Sequence, residues 1–240
     1  MSISTCSGAL AGGLGERLGF KGIKLSLPTE IATGTTQLQL YCAHIVALQA
    51  LLTERLGRAV RLPLCIMTSA DTHQPTLKAL RDADFFGLSA AQVSCLMQGR
   101  VAAIADDTGA LAARSPYTLL TKPHGHGDVH SLLHASGLAS RWAREGVHWL
   151  YFMQDSSTTY WHHHLASLGV ALELQLDCCF VATPRTPKMA LGILATMTRS
   201  EDGLVAPLVP VEYNQIEALL RGGDVAGRDG YSDFPGNTNG

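Results

Sequence analysis

Apolar runs and amphipathic helical patterns alternate along most of this chain. Short apolar runs predict strands at Leu62–Met67, Val93–Met97, Val147–Phe152, Leu172–Ala182 and Leu204–Val211, and an earlier run, Gly8–Ala11, leads into a glycine-rich loop. Helical spacing predicts helices over Leu38–Leu56, Pro75–Asp82, Thr158–Leu168 and Ile216–Arg221, and another that contains Leu132, Leu133, Leu138 and Trp142 and ends before Gly146. This succession predicts an α/β fold in which helices cover both faces of a mostly parallel sheet.

Polar clusters follow four of the apolar runs. They are Gly12–Gly19, Met67–His73, Gln154–Ser157 and Glu212–Asn214. Ligands of open α/β sheets bind outside the carboxyl ends of the strands. We therefore expect the ligand-binding side chains in these four clusters.

The loop at residues 122–130 combines backbone freedom with reactive side chains. It contains two glycines, three histidines, a lysine and an aspartate directly before a helical pattern. Gly125 and Gly127 permit positive φ angles or the close approach of a bound group, and Asp128 is placed to cap the helix. Since free N–H groups at a helix N-terminus favour anions, this loop is expected to bind a negatively charged ligand.

A second glycine-rich loop occupies residues 10–19. Its glycines allow backbone amides to surround a triphosphate, and Arg17 and Lys24 could neutralise phosphate charge. The spacing is not that of a P-loop, and Gly13, Gly15 and Gly19 are one residue too far apart for a dinucleotide fingerprint. Taken alone, these residues leave both a nucleotide-binding loop and a tight strand-to-helix turn open.

Length and composition indicate a soluble globular protein. The chain has 240 residues, 46% of them hydrophobic, and a net charge of −2, without the clustered basic residues that bind nucleic acid. Its six cysteines lack paired metal-binding spacing and favour a reducing, cytosolic setting. No apolar run approaches the ~18 residues of a membrane span. We therefore expect neither nucleic acid nor a membrane as a partner.

The order of the motifs resembles that of the UDP-sugar pyrophosphorylases, which belong with the UDP-glucose and UDP-N-acetylhexosamine pyrophosphorylases. The matching segments are residues 10–19, 22–24, 66–69, 71–73, 122–130, 154–155, 211–215 and 234–237. The resemblance covers nearly the whole chain as one partial catalytic domain, residues 1–240, without the family's C-terminal domain. It implies a Rossmann-like, GT-A-like nucleotidyltransferase fold around a central mixed, mostly parallel sheet, truncated at both ends.

The resemblance also implies a reaction and its residues. UTP and a monosaccharide 1-phosphate would give a UDP-sugar and pyrophosphate, reversibly, by in-line attack on the α-phosphorus. The implied catalytic residues are Arg17, Lys24 and His126, the nucleotide-binding residues are Leu10, Gly12, Gly13, Gly15, Met67, Gln98, Pro123 and Gly125, and the sugar-binding residues are Glu212, Asn214 and Asn237. Asp155 would hold Mg²⁺, with Mn²⁺ as an alternative, in a monomeric cytosolic enzyme.

Other interpretations stay open. The chain could be a catalytically inactive module that binds UTP or a UDP-sugar, or a dehydrogenase-like domain with Glu30 as its ribose-binding acid. Asp155 could be a helix N-cap, and Asn237 could belong to a turn. The histidines could form a zinc site; they are His124, His126, His130, His162, His163 and His164.

Three departures from the family pattern predict a fragment. The segment Met1–Gly8 is too polar and too short for the buried central strand expected before the first glycine loop. The chain ends at Gly236–Gly240, where the family continues into more sheet and a further lysine at the phosphates. The usual Asp-Thr-Asn has become Asp-Ser-Ser at residues 155–157.

Overall fold

The computed structural model describes residues 5–10, 19–155, 160–198, 203, 205–220 and 223–237. The chain divides into two compact units, Met1–Trp161 and His162–Gly240. The single domain over residues 1–240 stays a prediction. None of the described helices is long and apolar enough to cross a membrane.

The described strands and helices that begin in the first unit are, in chain order, β1 Thr5–Leu10, α1 Gln37–Leu56, β2 Leu64–Thr68, α2 His73–Asp82, β3 Val93–Met97, β4 Arg100–Ala102, β5 Ala113–Ser115, β6 Thr118–Leu119, β7 Thr121–Pro123, α3 Asp128–Ala135, α4 Leu138–Arg144, β8 Trp149–Gln154 and α5 Tyr160–Glu173. Short 3-10 helices lie at Lys24–Ser26, Asp84–Gly87 and Ala90–Gln92. The described strands and helices that begin in the second unit are β9 Ala182–Thr183, β10 Ile193–Thr198, β11 Val205–Val211, α6 Ile216–Leu219 and β12 Gly236–Asn237.

The first unit is built on a four-stranded sheet in the order β3-β2-β1-β8. All its neighbouring strands are parallel. The small pairs β4–β7 and β5–β6 are antiparallel. The α/β class and the parallel main sheet predicted from the sequence are confirmed.

Alternate residues of β2 enter two different cores. Leu64 and Ile66 pack in a cluster with Tyr41 of α1, whereas Cys65 and Met67 pack in a second cluster with residues of α3 and α4. This alternation follows from the period of two in a strand. Helices therefore cover both faces of the sheet, as the alternating pattern predicts.

Helix α1 shows how local sequence sets an element that supports the sheet. The Thr36 hydroxyl accepts a hydrogen bond from the Gln39 N–H at 3.2 Å, which caps the N-terminus. Gly57 ends the helix with a φ of 62°, a left-handed conformation that glycine adopts without steric cost. Between them Tyr41 and Ile45 are fully buried against the sheet.

The second unit contains an antiparallel four-stranded sheet in the order β11-β10-β12-β9. Its small core contains Ile193, Val211 and Ile216. The strands of the second half of the chain thus form a sheet separate from the parallel one.

Several element predictions are wrong. Residues 5–10 do form a central strand, because ladder hydrogen bonds come from the backbone and do not require long apolar side chains. The predicted strand Leu172–Ala182 is instead the end of α5, a loop and the first residue of β9. The helix expected to run through Trp142 breaks at Gly137, whose φ is 70°, into α3 and α4.

Candidate active site

The strand order creates a topological switch point at the carboxyl edge of the parallel sheet. Strand β1 pairs with β2 on one side and with β8 on the other. The chain runs from β1 to β2 and β3 on one side and later adds β8 on the other side, and such switch points are where open α/β sheets bind ligands. The glycine loop follows β1 directly, and Asp155 follows β8 directly. The ends of β1 and β8 lie at the same edge because the two strands are parallel neighbours.

Part of the glycine loop lies outside the described residues. Gly12, Gly13, Gly15 and Arg17 belong to that part, so their nucleotide and phosphate contacts stay predictions. Leu10 is the last residue of β1 and pairs with Gln154 in the ladder. Its backbone therefore lies beside the residue that precedes Asp155.

Lys24 and Asp155 form an ion pair at this edge. The Lys24 Nζ lies 3.6 Å from the Asp155 Oδ1, and the two side chains are 24% and 4% exposed. The distance exceeds that of a hydrogen bond, so charge attraction dominates the contact. The sequence assigned Lys24 to the phosphates and Asp155 to the metal, and the structure brings the two together.

Burial controls the ionisation of Asp155. It raises the pKa of the Asp155 carboxyl from its ordinary value to about 6, while the charges of Lys24 and His126 act in the opposite direction. The carboxylate is therefore incompletely compensated by its protein neighbours. A further cation beside it would stabilise the ionised form.

The loop at residues 122–130 is tied to the end of β3. The Gly125 N–H donates to the Gln98 Oε1 at 3.0 Å, and the Gln98 side chain belongs to a buried residue. Gly125 has a φ of 133°, which residues with a Cβ rarely adopt. The structure therefore brings together Gln98 and Gly125, two of the nucleotide-binding residues that the family resemblance implies.

The Asp128 capping prediction is wrong. Gly127 occupies the N-cap of α3, no side chain caps that terminus, and Asp128 lies in the first turn. The Asp128 carboxylate instead binds the Nδ1 of His124. An acidic residue in this turn still interacts favourably with the helix dipole.

His126 is exposed and close enough to Asp155 to act on its charge.

Met67 and Pro123 occupy ladder positions. The Met67 side chain is fully buried between β2 and the α3–α4 helices, so only its backbone can face a ligand. Pro123 pairs with Arg100 between β7 and β4, directly before the loop. Their nucleotide-binding roles stay predictions.

The predicted sugar-binding residues lie in the second unit. Glu212 and Asn214 are exposed in a turn after β11, in which the Gln215 N–H donates to the Glu212 carbonyl at 2.9 Å. Asn237 lies in β12, and its N–H donates to the Gly192 carbonyl at 2.8 Å. Asn237 is therefore part of a strand rather than of a terminal turn, and its sugar contact stays a prediction.

Two alternative interpretations lose support. Among the described residues, no group of three His, Cys, Asp or Glu side chains could hold a metal ion, so the structure adds no support to the zinc interpretation. Glu30 does not follow a strand; its carboxylate accepts hydrogen bonds from the N–H groups of Ala32 and Thr33, both at 2.7 Å. It stabilises a turn, which does not fit a ribose-binding acid.

Sequence reasoning missed contacts between distant residues. The Tyr41 hydroxyl donates to the Gln154 carbonyl at 3.2 Å, directly before Asp155. In the second unit, Arg185 pairs with Asp224 at 2.7 Å. Neither pair has a spacing signal, because each joins segments that meet only in the folded chain.

Similar proteins share this arrangement of elements. A UDP-sugar pyrophosphorylase of Arabidopsis thaliana is 43% identical over 239 residues, which cover 96% of this chain and 39% of that protein. A UDP-N-acetylglucosamine pyrophosphorylase of Trypanosoma brucei, solved with an inhibitor, superposes with a TM-score of 0.78 and 21% identity over 98% of this chain and 46% of that one. A mutant UDP-glucose pyrophosphorylase of Leishmania major, solved with UDP-glucose, superposes with a TM-score of 0.67 and 23% identity. The superposition covers 97% of this chain and 48% of that one.

These comparisons carry different weight. At their low sequence identity the two solved structures show the shared fold alone. The chain spans 39% of the length of the Arabidopsis relative. A family description, UTP–glucose-1-phosphate uridylyltransferase, matches residues 9–212. Because this match extends over most of the sequence, the chain belongs to the UTP–glucose-1-phosphate uridylyltransferase family.

Proposed function

We propose that this chain transfers the uridylyl group of UTP to a monosaccharide 1-phosphate and releases pyrophosphate. The ion pair between Lys24 and Asp155 carries the proposal, because it joins a cation suited to phosphate with a carboxylate suited to a metal at the switch point of the sheet. Family membership supports the same reaction. The substrate class follows the Arabidopsis relative, a UDP-sugar pyrophosphorylase.

The proposed chemistry is an in-line displacement. An oxygen of the sugar phosphate attacks the α-phosphorus of UTP, the bond to the β-phosphate oxygen breaks, and pyrophosphate leaves with its electron pair. The attacking oxygen is already anionic, so no strong general base is needed. Catalysis then depends on positioning and on charge neutralisation, for which we propose Lys24, Arg17 and His126.

We further propose that Asp155 binds Mg²⁺, with Mn²⁺ as an alternative. Mg²⁺ commonly binds proteins through one or two carboxylates together with substrate phosphates. The donor set fits, because the Asp155 carboxylate is buried and burial raises its pKa to about 6, so an added cation would stabilise its charge. When bound, the ion would supply charge neutralisation at the phosphates.

The proposed setting is that of a monomer in the cytosol with small-molecule partners. UTP, sugar 1-phosphates and pyrophosphate are the proposed partners, and nucleic acid and membranes are not among them. The net charge of −2 and the free thiols of the described cysteines support this setting.

Release of pyrophosphate from UTP, Mg²⁺ and a panel of sugar 1-phosphates tests the proposal. Lys24→Met removes the charge and keeps a long side chain, and it should lower the rate by about 10²–10³. Lys21→Met is the matched control, since Lys21 is exposed three residues away and should leave the rate unchanged. Equal rates in both variants would contradict the role of Lys24.

Equilibrium binding of UTP separates the proposal from its alternative. An active enzyme binds UTP and releases pyrophosphate with at least one sugar 1-phosphate. Binding without release would establish an inactive nucleotide-binding module. A wild-type chain that neither binds UTP nor releases pyrophosphate would overturn both.

A further inference from the structure

The second unit contains an ion pair that is almost completely removed from solvent. The Arg185 Nη2 lies 2.7 Å from the Asp224 Oδ2, and the side chains are 0% and 2% exposed. By residue volume, Arg185 is the largest of the fully buried side chains among the described residues. Buried charges of this kind are expensive unless their remaining hydrogen-bonding positions are filled.

Most of those positions are filled by two loop segments. The Ser232 hydroxyl donates to the Asp224 Oδ1 at 2.6 Å, and the Lys188 N–H donates to the Asp224 Oδ2 at 3.1 Å. The Arg185 Nη1 donates to the Ser232 Oγ at 3.3 Å, and the Ser232 N–H donates to the Arg185 carbonyl at 2.8 Å. We call Arg185, Asp224 and Ser232 the buried clamp.

Lys188 adopts a backbone conformation that suits this network. Its φ is 65°, in the left-handed region that non-glycine residues seldom occupy. This conformation accompanies an N–H group that points at Asp224. Burial would raise the pKa of Asp224, but the hydrogen bonds from Arg185, Ser232 and Lys188 outweigh it and hold the pKa below its ordinary value. Asp224 is therefore held as a carboxylate.

The buried clamp lies beside two very short strands. Arg185 lies two residues after the end of β9, and Ser232 lies four residues before the start of β12. In the ladder between these strands, Gly236 pairs with Thr183 and Asn237 pairs with Ala182. Strands of two residues form only a few ladder bonds with their neighbours, so groups outside the ladder can contribute to the register. A slip by one residue would turn Asn237 to the opposite face of the sheet.

The local packing favours the observed register. A Cβ on Gly236 would lie 3.2 Å from the Thr183 carbonyl oxygen and would collide with Leu191, so no other residue of β12 fits this position without movement. The buried clamp joins the segment after β9 to the segment before β12, next to this close contact. Buried polar and ionic groups can specify register even where apolar residues would be equally stable.

A cavity lies between the buried clamp and Tyr213. Its volume is about 310 Å³, and its lining includes Arg185, Asp224 and Tyr213. Tyr213 stands between Glu212 and Asn214 in the chain. The buried clamp therefore lines the same cavity as the residue between Glu212 and Asn214, and it lies close in sequence to β12, which contains Asn237.

We propose that Arg185, Asp224 and Ser232 are positioning residues that fix the register of β12 and thereby place Asn237 for contact with the sugar of the sugar 1-phosphate. This inference rests on the proposed function for the identity of the ligand. The register itself is a property of the fold and can be measured without activity.

The double variant Arg185→Met/Asp224→Asn tests the role. It removes both buried charges together, so neither remains unpaired, and it retains an amide that can bind Ser232 and the Lys188 N–H. Asp233→Asn is the control, because Asp233 is an exposed neighbour of Ser232. Ser232→Ala removes one hydroxyl and provides a milder second variant.

Two readouts distinguish positioning from general stabilisation. In the double variant the Asn237 amide should exchange with solvent at least about tenfold faster than in the wild type, since it leaves the Gly192 carbonyl, while amides of the β10–β11 ladder keep their rates. The KM for the sugar 1-phosphate should rise about tenfold, as for a lost hydrogen bond. The KM for UTP should not change.

Each outcome decides the matter. Wild-type exchange at Asn237, uniformly faster exchange throughout the second unit, or an unchanged KM for the sugar 1-phosphate would each overturn the positioning role. A wild-type chain that releases no pyrophosphate would refute the proposed activity instead. The exchange measurement would then still accept or reject the register role of the buried clamp.

Discussion

The hydroxyl of Tyr41 donates a hydrogen bond to the carbonyl of Gln154 at 3.2 Å. Tyr41 is fully buried in α1, and its ring lies 6.0 Å from that of Trp161 near the start of α5. One side chain thus contacts the chain on both sides of Asp155. The helix that supports the sheet also supports the segment that carries the candidate metal ligand.

Tyr41→Phe should lower the free energy of unfolding by about 1 kcal/mol, because it removes one buried hydrogen bond and keeps the ring packing. Urea denaturation measures the change. Tyr117→Phe is the matched control, since Tyr117 is 99% exposed and its hydroxyl faces water. Equal losses in the two variants would contradict a stabilising role for the Tyr41–Gln154 contact.

Asp155 should give the stability a specific pH dependence. Burial raises its folded pKa to about 6, above its value in the unfolded chain, so its favourable contribution is complete below about pH 4 and is lost as the pH rises through about 6. The loss should reach up to about 3 kcal/mol. Asp155→Asn should abolish this part of the pH profile, and the exposed control Asp107→Asn should retain it. Urea titrations across this range measure both.

Metal removal should stop the proposed reaction. EDTA should abolish pyrophosphate release, and Mg²⁺ or Mn²⁺ should restore it in the wild type. Asp155→Ala should lower the rate by about 10²–10³ at saturating Mg²⁺, since a charge contact at the phosphates is lost. Wild-type rates in Asp155→Ala would remove Asp155 from the metal site.

The two glycines of the loop at residues 122–130 should respond differently to alanine. Gly125→Ala forces a Cβ onto a backbone with a φ of 133° and should cost about 1–3 kcal/mol of stability, although the space around it is open. Gly127→Ala should be nearly neutral, because Gly127 has a φ of −58° and equally open surroundings. Thermal unfolding of both variants measures the difference, and equal melting temperatures would contradict it.

The sequence predicts elements where one local signal dominates. Val93–Met97 is the observed β3, and the end of α1 at Leu56 follows from Gly57. Local signals fail where the two-residue alternation of a strand occurs at the end of a helix. The alternation of leucine with polar residues at 172–176 favours a strand, yet α5 continues to Glu173, and Leu174 is 63% exposed in the loop that follows.

The site divides in the same way. Position after a strand predicts Asp155 as a ligand-binding residue, and position after the glycine-rich loop predicts Lys24 as a phosphate-binding one. No periodicity could pair them, because their contact depends on the sheet order that brings β8 beside β1. Arg185 and Asp224 also meet only through tertiary structure, so composition and motif reasoning gave no reason to select them.

The placement of β1 between β2 and β8 determines when the candidate active site forms during folding. Ser7 pairs with Leu64 on one side but with Tyr151 on the other. Closing the loop from Ser7 to Tyr151 costs more conformational entropy than closing the shorter loop from Ser7 to Leu64, and it slows the search for native contacts. Because ribosomes produce the chain from its N-terminus, Lys24 must wait until most of the first unit has been synthesised before it can meet Asp155. The proposed phosphate-binding and metal-binding groups should therefore come together late in folding.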